Sequence, residues 1–277
     1  MRRAFSRSAP AYEARGSVQR RVRERVLAML AEAAPRADRV LDVGAGTGAL
    51  LAHLAADRPA LRATAVDLAP GMCATARVAV PGAAVAAADA EALPFRAGAF
   101  DLVVSTSALQ WLPGLGPAVA EAHRVLAPGG ILCVALFGAD TLRELRRAWR
   151  EAAGPDGAAR THALPTRADV EEALAAAGLR ARTILEEDLV EWHADARAEH
   201  RALKEVGASS AVPGTGGLGG RETTLQMLAR YDAVHAGRDG VPATYHVVYA
   251  LAEREPPSPG LSPRASRGGR GGTSHRP

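Results

Sequence analysis

Chemistry in this 277-residue chain is concentrated between Ala37 and Gly48, which read A-D-R-V-L-D-V-G-A-G-T-G. Val40, Leu41 and Val43 give a short apolar β run. Gly44, Gly46 and Gly48 then let the backbone turn tightly and approach a ligand with no Cβ in the way. Ala49 to Ala56 are nearly all strong helix formers, so the turn opens a helix. A glycine turn between a strand and a helix N-terminus presents free N–H groups and the positive end of the helix dipole, a geometry suited to nucleotides. Carboxylates recur downstream at strand ends. Thr64 to Asp67 reads as a second strand whose terminal acid lies 19 residues past Gly48, about where a carboxylate grips ribose hydroxyls. Ala86 to Ala90 supplies a third strand with Asp89 near its end, and Phe100 to Ser105 a fourth. Arg124 to Leu132 reads as a helix end, a Pro-Gly-Gly turn and a fifth strand.

The glycine spacing separates two nucleotide-binding families. A dinucleotide fold expects G-x-G-x-x-G, whereas here G-x-G-x-G follows an acid, Asp42. This pattern resembles the first motif of S-adenosylmethionine-dependent methyltransferases. The resemblance implies an α/β, Rossmann-like class I fold: a seven-stranded, mostly parallel sheet with an antiparallel last strand and helices on both faces. It also implies a cofactor site built from Asp42, Gly44, Gly46, Gly48, Asp67, Leu68, Met72, Asp89, Ala90 and Ser105. Leu68 and Met72 would wall the adenine, and Asp89 would accept from its amino group. Ser105 to Trp111 follows the fourth strand, where an open parallel sheet places its crevice, so Gln110 and Trp111 belong near the methyl group.

The remaining elements position this site. Val18, Val22, Val26, Met29 and Leu30 form a helical apolar stripe in an N-terminal cap, residues 1–36, with Tyr12 and Gln19 placed to cover the cofactor. Residues 37–255 form the catalytic domain. Within it, Asp140 to Arg150, Pro165 to Gly178, His193 to Val206 and Arg221 to Ala236 read as helices. Thr183 to Trp192 and Ala243 to Leu251 read as the last two strands. The helical segment between those strands, about 193–236, reads as a lid, and the Pro/Gly/Ser/Arg-rich stretch 256–277 as a disordered basic tail.

Composition excludes several function classes. The formal charge of +4 comes entirely from four tail arginines, and residues 1–255 are balanced, so no nucleic-acid footprint is expected. Cys73 and Cys133 lack metal or redox spacing and read as core residues of a reducing compartment. The eight histidines show no ligand pattern, so no metal is expected. The uncharged run Leu102 to Ala120 is broken by Pro113 and Pro117, which argues against a membrane span. The N-terminus lacks the apolar centre of a secretory signal. Arg2, Arg3 and Arg7 with Ser6 and Ser8 have the composition of a transit peptide, but Glu13 opposes that reading, and the expected location is cytoplasmic. Gly207 to Ala211 lacks the second glycine of a nucleophile elbow, which discounts a hydrolase.

More specific segments narrow the family. Phe5 to Ala9, Tyr12-Glu13, Val18-Gln19, Ala108 to Leu112, Phe137 to Leu145, Leu203 to Ser209 and Ala243 to His246 resemble the malonyl-acyl-carrier-protein O-methyltransferases of biotin synthesis, a likeness spanning roughly residues 4–254. Ser209 departs from the threonine usual there. The resemblance implies methyl transfer from S-adenosylmethionine to the free malonyl carboxylate. That carboxylate is ionised at neutral pH, so alignment and water exclusion suffice without a general base. Tyr12, Gln110 and Tyr245 are the hydrogen-bonding candidates around the substrate. Arg143, Arg146, Arg147 and Arg150 lie at i, i+3, i+4 and i+7 as a candidate docking face for an acidic acyl carrier protein. Phe137 to Leu145 and Val241 to Tyr245 are also similar to respiratory complex I assembly factors, which bind the same cofactor but act as arginine hydroxylases. A non-catalytic cofactor-binding assembly protein and a small-molecule carboxyl methyltransferase are further alternatives.

Overall fold

A computed structural model describes residues 6, 16–153, 163–205 and 220–256; Tyr12 and the stretch from 257 onward lie outside the described residues. β1 (Arg39–Val43), apolar and almost wholly buried, takes the centre of a seven-stranded sheet of order β3-β2-β1-β4-β5-β7-β6. It pairs in parallel with β2 (Arg62–Asp67) and β4 (Phe100–Thr106). β3 (Ala84–Ala87) and β5 (Leu126–Phe137) extend the parallel set outward. β7 (Val241–Arg254) then enters antiparallel between β5 and β6 (Leu179–His193). The last strand is thus the reversed one, as the resemblance implies for a class I methyltransferase fold.

Parallel neighbours require crossovers, which the helices provide on both faces. α1 (Ser17–Ala33) buries its stripe of Val18, Val22, Val26 and Leu30 in one cluster with Leu50 and Leu54 of α2 (Ala49–Asp57). α3 (Pro70–Ala79) packs over β2 and β3, with proline where helix entry tolerates it. On the other face α4 (Gly116–Val125) contributes Val119 and Val125, and α6 (Arg167–Ala176) contributes Val170 and Leu174. Thr166 and Asp169 close a reciprocal capping box at the start of α6.

Several boundaries differ from the sequence reading: β6 and β7 run longer at both ends than Thr183–Trp192 and Ala243–Leu251, and His193, read as the start of a helix, belongs to β6. The third strand stops at Ala87, because Asp67, the last residue of β2, is its final partner; Asp89 lies beyond it. The expected Pro-Gly-Gly turn before the fifth strand is a bulge inside β5. Leu126 already pairs with Phe100, and the register shifts before Leu102 meets Ile131. The helix expected from Asp140 starts later, as α5 (Arg143–Ala153). Leu142, with φ of 55°, first sends its N–H to the Thr244 carbonyl at 2.6 Å. Between β6 and β7 stand α7 (Ala196–Glu205) and α8 (Gly220–His235). No helix among the described residues is long and apolar enough to cross a membrane.

Arg39 at the start of β1 ties the centre of the sheet to β4. Its guanidinium donates to both carboxylate oxygens of Asp101, at 3.2 and 2.5 Å, and its backbone N–H adds a third bond at 3.0 Å. These bonds hold the Asp101 carboxyl below its ordinary value. A depressed carboxylate stabilises the fold above its unfolded pKa and loses that contribution as pH falls through the folded value. Both side chains are about one-third exposed, so screening limits the contribution. Asp101→Asn is expected to cost about 1 kcal/mol in denaturant unfolding at pH 7, and the gap from wild type should close on acidification below pH 4.

Candidate cofactor and active site

The carboxyl ends of β1, β2 and β4, with the segment after β3, open into one cavity. The glycine turn forms its floor. Gly44 has φ of +72°, and a Cβ there would lie 2.3 Å from the Ala108 Cβ, so only glycine lets the segment after β4 come this close. The N–H groups of Gly44 and Ala45 donate to the Val66 carbonyl at 2.8 and 3.0 Å. Asp67 fixes the turn further: Oδ2 accepts from Gly46 N–H at 2.9 Å and Oδ1 from Ala69 N–H at 2.7 Å. Burial pushes this carboxyl up while those two bonds oppose the shift. Each oxygen keeps a further lone pair for a hydroxyl in the cavity.

The structure brings together Gly44, Gly46, Asp67, Leu68, Met72, Asp89 and Ala90 around the cavity, with Gln19 from α1 and Trp111 from the turn Leu109–Trp111. Met72 is buried and Leu68 half exposed, as apolar walls at a cavity's inner and outer ends would be. Asp89 folds back through Oδ1 to Glu91 N–H at 3.0 Å. These features fit S-adenosylmethionine: a cradle a Cβ would fill, strand-end carboxylates for hydroxyl and amino donors, and apolar surfaces for a base.

Other expected site residues sit behind this wall. Asp42 is buried in β1, off the cavity surface. Its Oδ1 has no hydrogen-bond partner among the described residues, and burial, with Asp67 adding, pushes its carboxyl up to about 8. Gly48 instead permits helix packing, since a Cβ there would lie 3.2 Å from Ala76 of α3. Ser105 donates its hydroxyl to the Val43 carbonyl at 2.8 Å, tying β4 to β1, and the next two residues, Thr106 and Ser107, line the cavity instead. Gln110 is buried within its turn and does not line the cavity. Tyr245 packs against Phe137, ring centroids 5.6 Å apart, and burial drives its phenol well above the ordinary value; it too is off the cavity surface. Tyr12 cannot be compared, being outside the described residues.

The sequence reading missed Arg23, Thr47, Thr106 and Ser107, all of which line the cavity. Arg23 was legible in principle, since it follows Gln19 by four residues on the same helical face. It is the one basic side chain among the described lining residues. Ser107 has φ of 54°, a strained conformation that places it at the cavity rim. Among the described residues no group of three or more His, Cys, Asp or Glu side chains could hold a metal ion. Gly44→Ala combines left-handed backbone with the clash at Ala108. It is expected to weaken S-adenosylmethionine binding at least tenfold by calorimetric titration, while far-ultraviolet circular dichroism retains the α/β signature.

Residues 41–134 match the family described as "Methyltransferase domain". The chain is 47% identical over 261 residues to the malonyl-[acyl-carrier protein] O-methyltransferase of Geobacter sulfurreducens, covering 92% of this chain and 98% of that protein. It is 37% identical to the protein of the same name from Laribacter hongkongensis, over 92% of this chain and 88% of the other. A solved structure of geranyl diphosphate C-methyltransferase from Streptomyces coelicolor, bound to Mg2+, geranyl diphosphate and S-adenosyl-L-homocysteine, superposes with a TM-score of 0.51 at 17% identity. That alignment covers 84% of this chain and 78% of the other, and at such identity it speaks for the fold alone. With near-full-length similarity to curated relatives and a cavity built for the cofactor, the chain belongs to the malonyl-[acyl-carrier protein] O-methyltransferase family.

Proposed function

We propose that this protein methylates the free carboxylate of a malonyl group carried on acyl carrier protein, in the cytoplasm, with the reacting end of the cavity bounded by Thr106 to Leu112. The observation that carries this placement is the shape of the lining. Acids sit where β2 and β3 end, and the β4 side offers Thr106, Ser107, Ala108, Leu109, Trp111 and Leu112, with no carboxylate to repel an anionic substrate. When bound, S-adenosylmethionine supplies a methyl group activated on a sulfonium. Asp67 and the Gly44–Gly46 backbone orient it, and Leu109, Trp111 and Leu112 exclude water from the line of attack. Arg23 supplies positive charge beside a cavity that must accept a carboxylate. No proton has to be removed from the nucleophile, which suits a site whose lining holds no acid–base pair near β4. Tyr12, Gln110 and Tyr245 remain candidates for substrate contacts only with rearrangement of the segments that bury the latter two. The test is mass spectrometry of malonyl-acyl carrier protein after incubation with protein and S-adenosylmethionine. A product heavier by one methyl group in place of hydrogen is expected; unchanged carrier with cofactor binding intact would favour the assembly-factor reading.

The same reading places the carrier on the arginine face of α5, under the helical insertion acting as a lid. Arg143 and Arg147 are already engaged in ion pairs. Arg143 bonds Asp188 at 2.7 Å and Arg147 bonds Glu151 at 3.0 Å. Arg146 is half-buried, and burial, with Arg150 adding, lowers its pKa. Arg150 is exposed and has no ion pair among the described residues, so it carries the charge most open to an acidic partner. Arg150→Glu is expected to raise KM for the carrier-bound substrate about tenfold, with the KM of a small malonyl thioester unchanged. Equal losses on both substrates would remove α5 as the docking face.

A further inference from the structure

A second polar cluster lies beneath the helical insertion, away from the cofactor cavity. α7 carries Glu199 into it at 0% exposure, and neither carboxylate oxygen has a hydrogen-bond partner among the described residues. Its surroundings come from every element packed there. α5 contributes Glu144, buried, which accepts from the backbone N–H and hydroxyl of Thr244 at 3.3 and 2.5 Å. β6 contributes Glu191 and His193, whose side chains approach to 3.8 Å. α8 contributes Tyr231, whose hydroxyl donates to the Pro242 carbonyl; Asp232, which accepts from Ala196 N–H at 2.8 Å; and His235, edge-on to Tyr231. β7 contributes Tyr245, and α7 itself buried His200 with Arg197 and Arg201 facing solvent. Arg21 of α1 acts on Glu191 from outside the cluster.

An ionised carboxylate is untenable in such a place. It has lost its water, it has no donor among the described groups, and two further carboxyls, Glu144 and Glu191, repel it. His193, beside Glu191, is pushed by burial toward its neutral form. We propose that a proton on Glu199 locks the helical insertion onto the sheet, and that losing it releases α7 from α8 and β6. Consistent with this, burial, with Glu144 and Glu191 adding, pushes the Glu199 carboxyl up to about 8.

The sign follows from linkage. Glu199 titrates near 4.3 in water and about 8 when docked, so the docked state binds the proton more tightly. Docking is fully favoured below about pH 4.3, weakens tenfold per pH unit as pH rises, and levels off above the docked value. Physiological pH falls near the upper edge of that window, so most of the response is to acidification, which tightens the docking of the insertion. This does not depend on which substrate the enzyme takes, because docking is measured without one.

Hydrogen exchange on the full-length protein tests it, comparing wild type with Glu199→Gln at matched pH so that intrinsic rates cancel. Over residues 196–205 and 221–235 the ratio of wild-type to variant exchange is expected to climb about tenfold per unit between pH 5 and 7, with a constant ratio over β1 and β4. A ratio that stays flat with pH over both helices overturns the proposal. Should the glutamine chain fold poorly, Glu199→Met serves with the same two outcomes.

Discussion

The Asp67 carboxylate is the fixed point on which the cofactor site depends. A turn of alternating glycines has little to hold it in one conformation, because glycine loses more freedom on ordering than any other residue. Here the order is imposed from the neighbouring strand: the Val66 carbonyl takes two N–H groups of the turn and Asp67 takes a third. The same carboxylate reaches forward to Ala69 and so sets where α3 begins. One side chain thereby fixes the floor of the cavity, its apolar wall through Leu68 and Met72, and its own orientation toward a ligand. Pairing of β1 with β2 from Arg39↔Arg62 to Val43↔Val66 brings the two strand ends level, without which none of these bonds could form.

That arrangement was largely legible in the chain, because it is written in local signals. Apolar runs that end in glycine or aspartate mark strand ends, and in a parallel sheet strand ends are where ligands bind. Asp67 and Asp89 were found that way, Asp89 two residues past its strand, and Leu68 and Met72 were implied by the family resemblance; all four line the cavity. What stayed hidden depended on parity and on distant packing. Ser105 and Thr106 are neighbours in β4 with side chains on opposite faces, so Ser105 bonds Val43 while Thr106 reaches the cavity, and Ser107, just past the strand, reaches it too. Gln110 and Tyr245 carry specific-looking motifs but are buried. The sequence shows that such segments are distinctive without showing whether they face substrate or core. Arg23 was obscured by abundance: in a chain whose cations are almost all arginine, nothing in the residue type singles it out.

The helical insertion shows a different limit. α7 and α8 read as helices in the sequence, but their contact with α5 and β6 brings together Glu144, Glu191 and Glu199 from segments far apart in sequence. Repulsion of that kind is invisible until the fold is known. It also runs against the common pattern in which buried charges are paired. Holding a fully buried, unbonded carboxyl beside two others costs stability, and under the proposed protonation such a cost is tolerable where an element has to move rather than merely fold.

The polarity of the cavity follows the strand order, and this bears on the reaction. From β3 and β2 toward β4 the lining passes from carboxylates, through glycine backbone, to neutral and apolar side chains. In the proposed placement, a cofactor laid across the strand ends meets hydrogen-bond acceptors at its nucleoside end and a largely apolar surface at the end where a methyl group leaves a sulfonium for a carboxylate. Transfer from cation to anion disperses charge as it proceeds, so a surface poor in water and fixed charge favours the transition state over the separated ions. An added base near β4 would contribute nothing to a nucleophile already ionised, and a carboxylate there would repel it. On that placement the lining suits the reaction: polar groups where β2 and β3 lead, and a surface free of carboxylates where the bond changes hands.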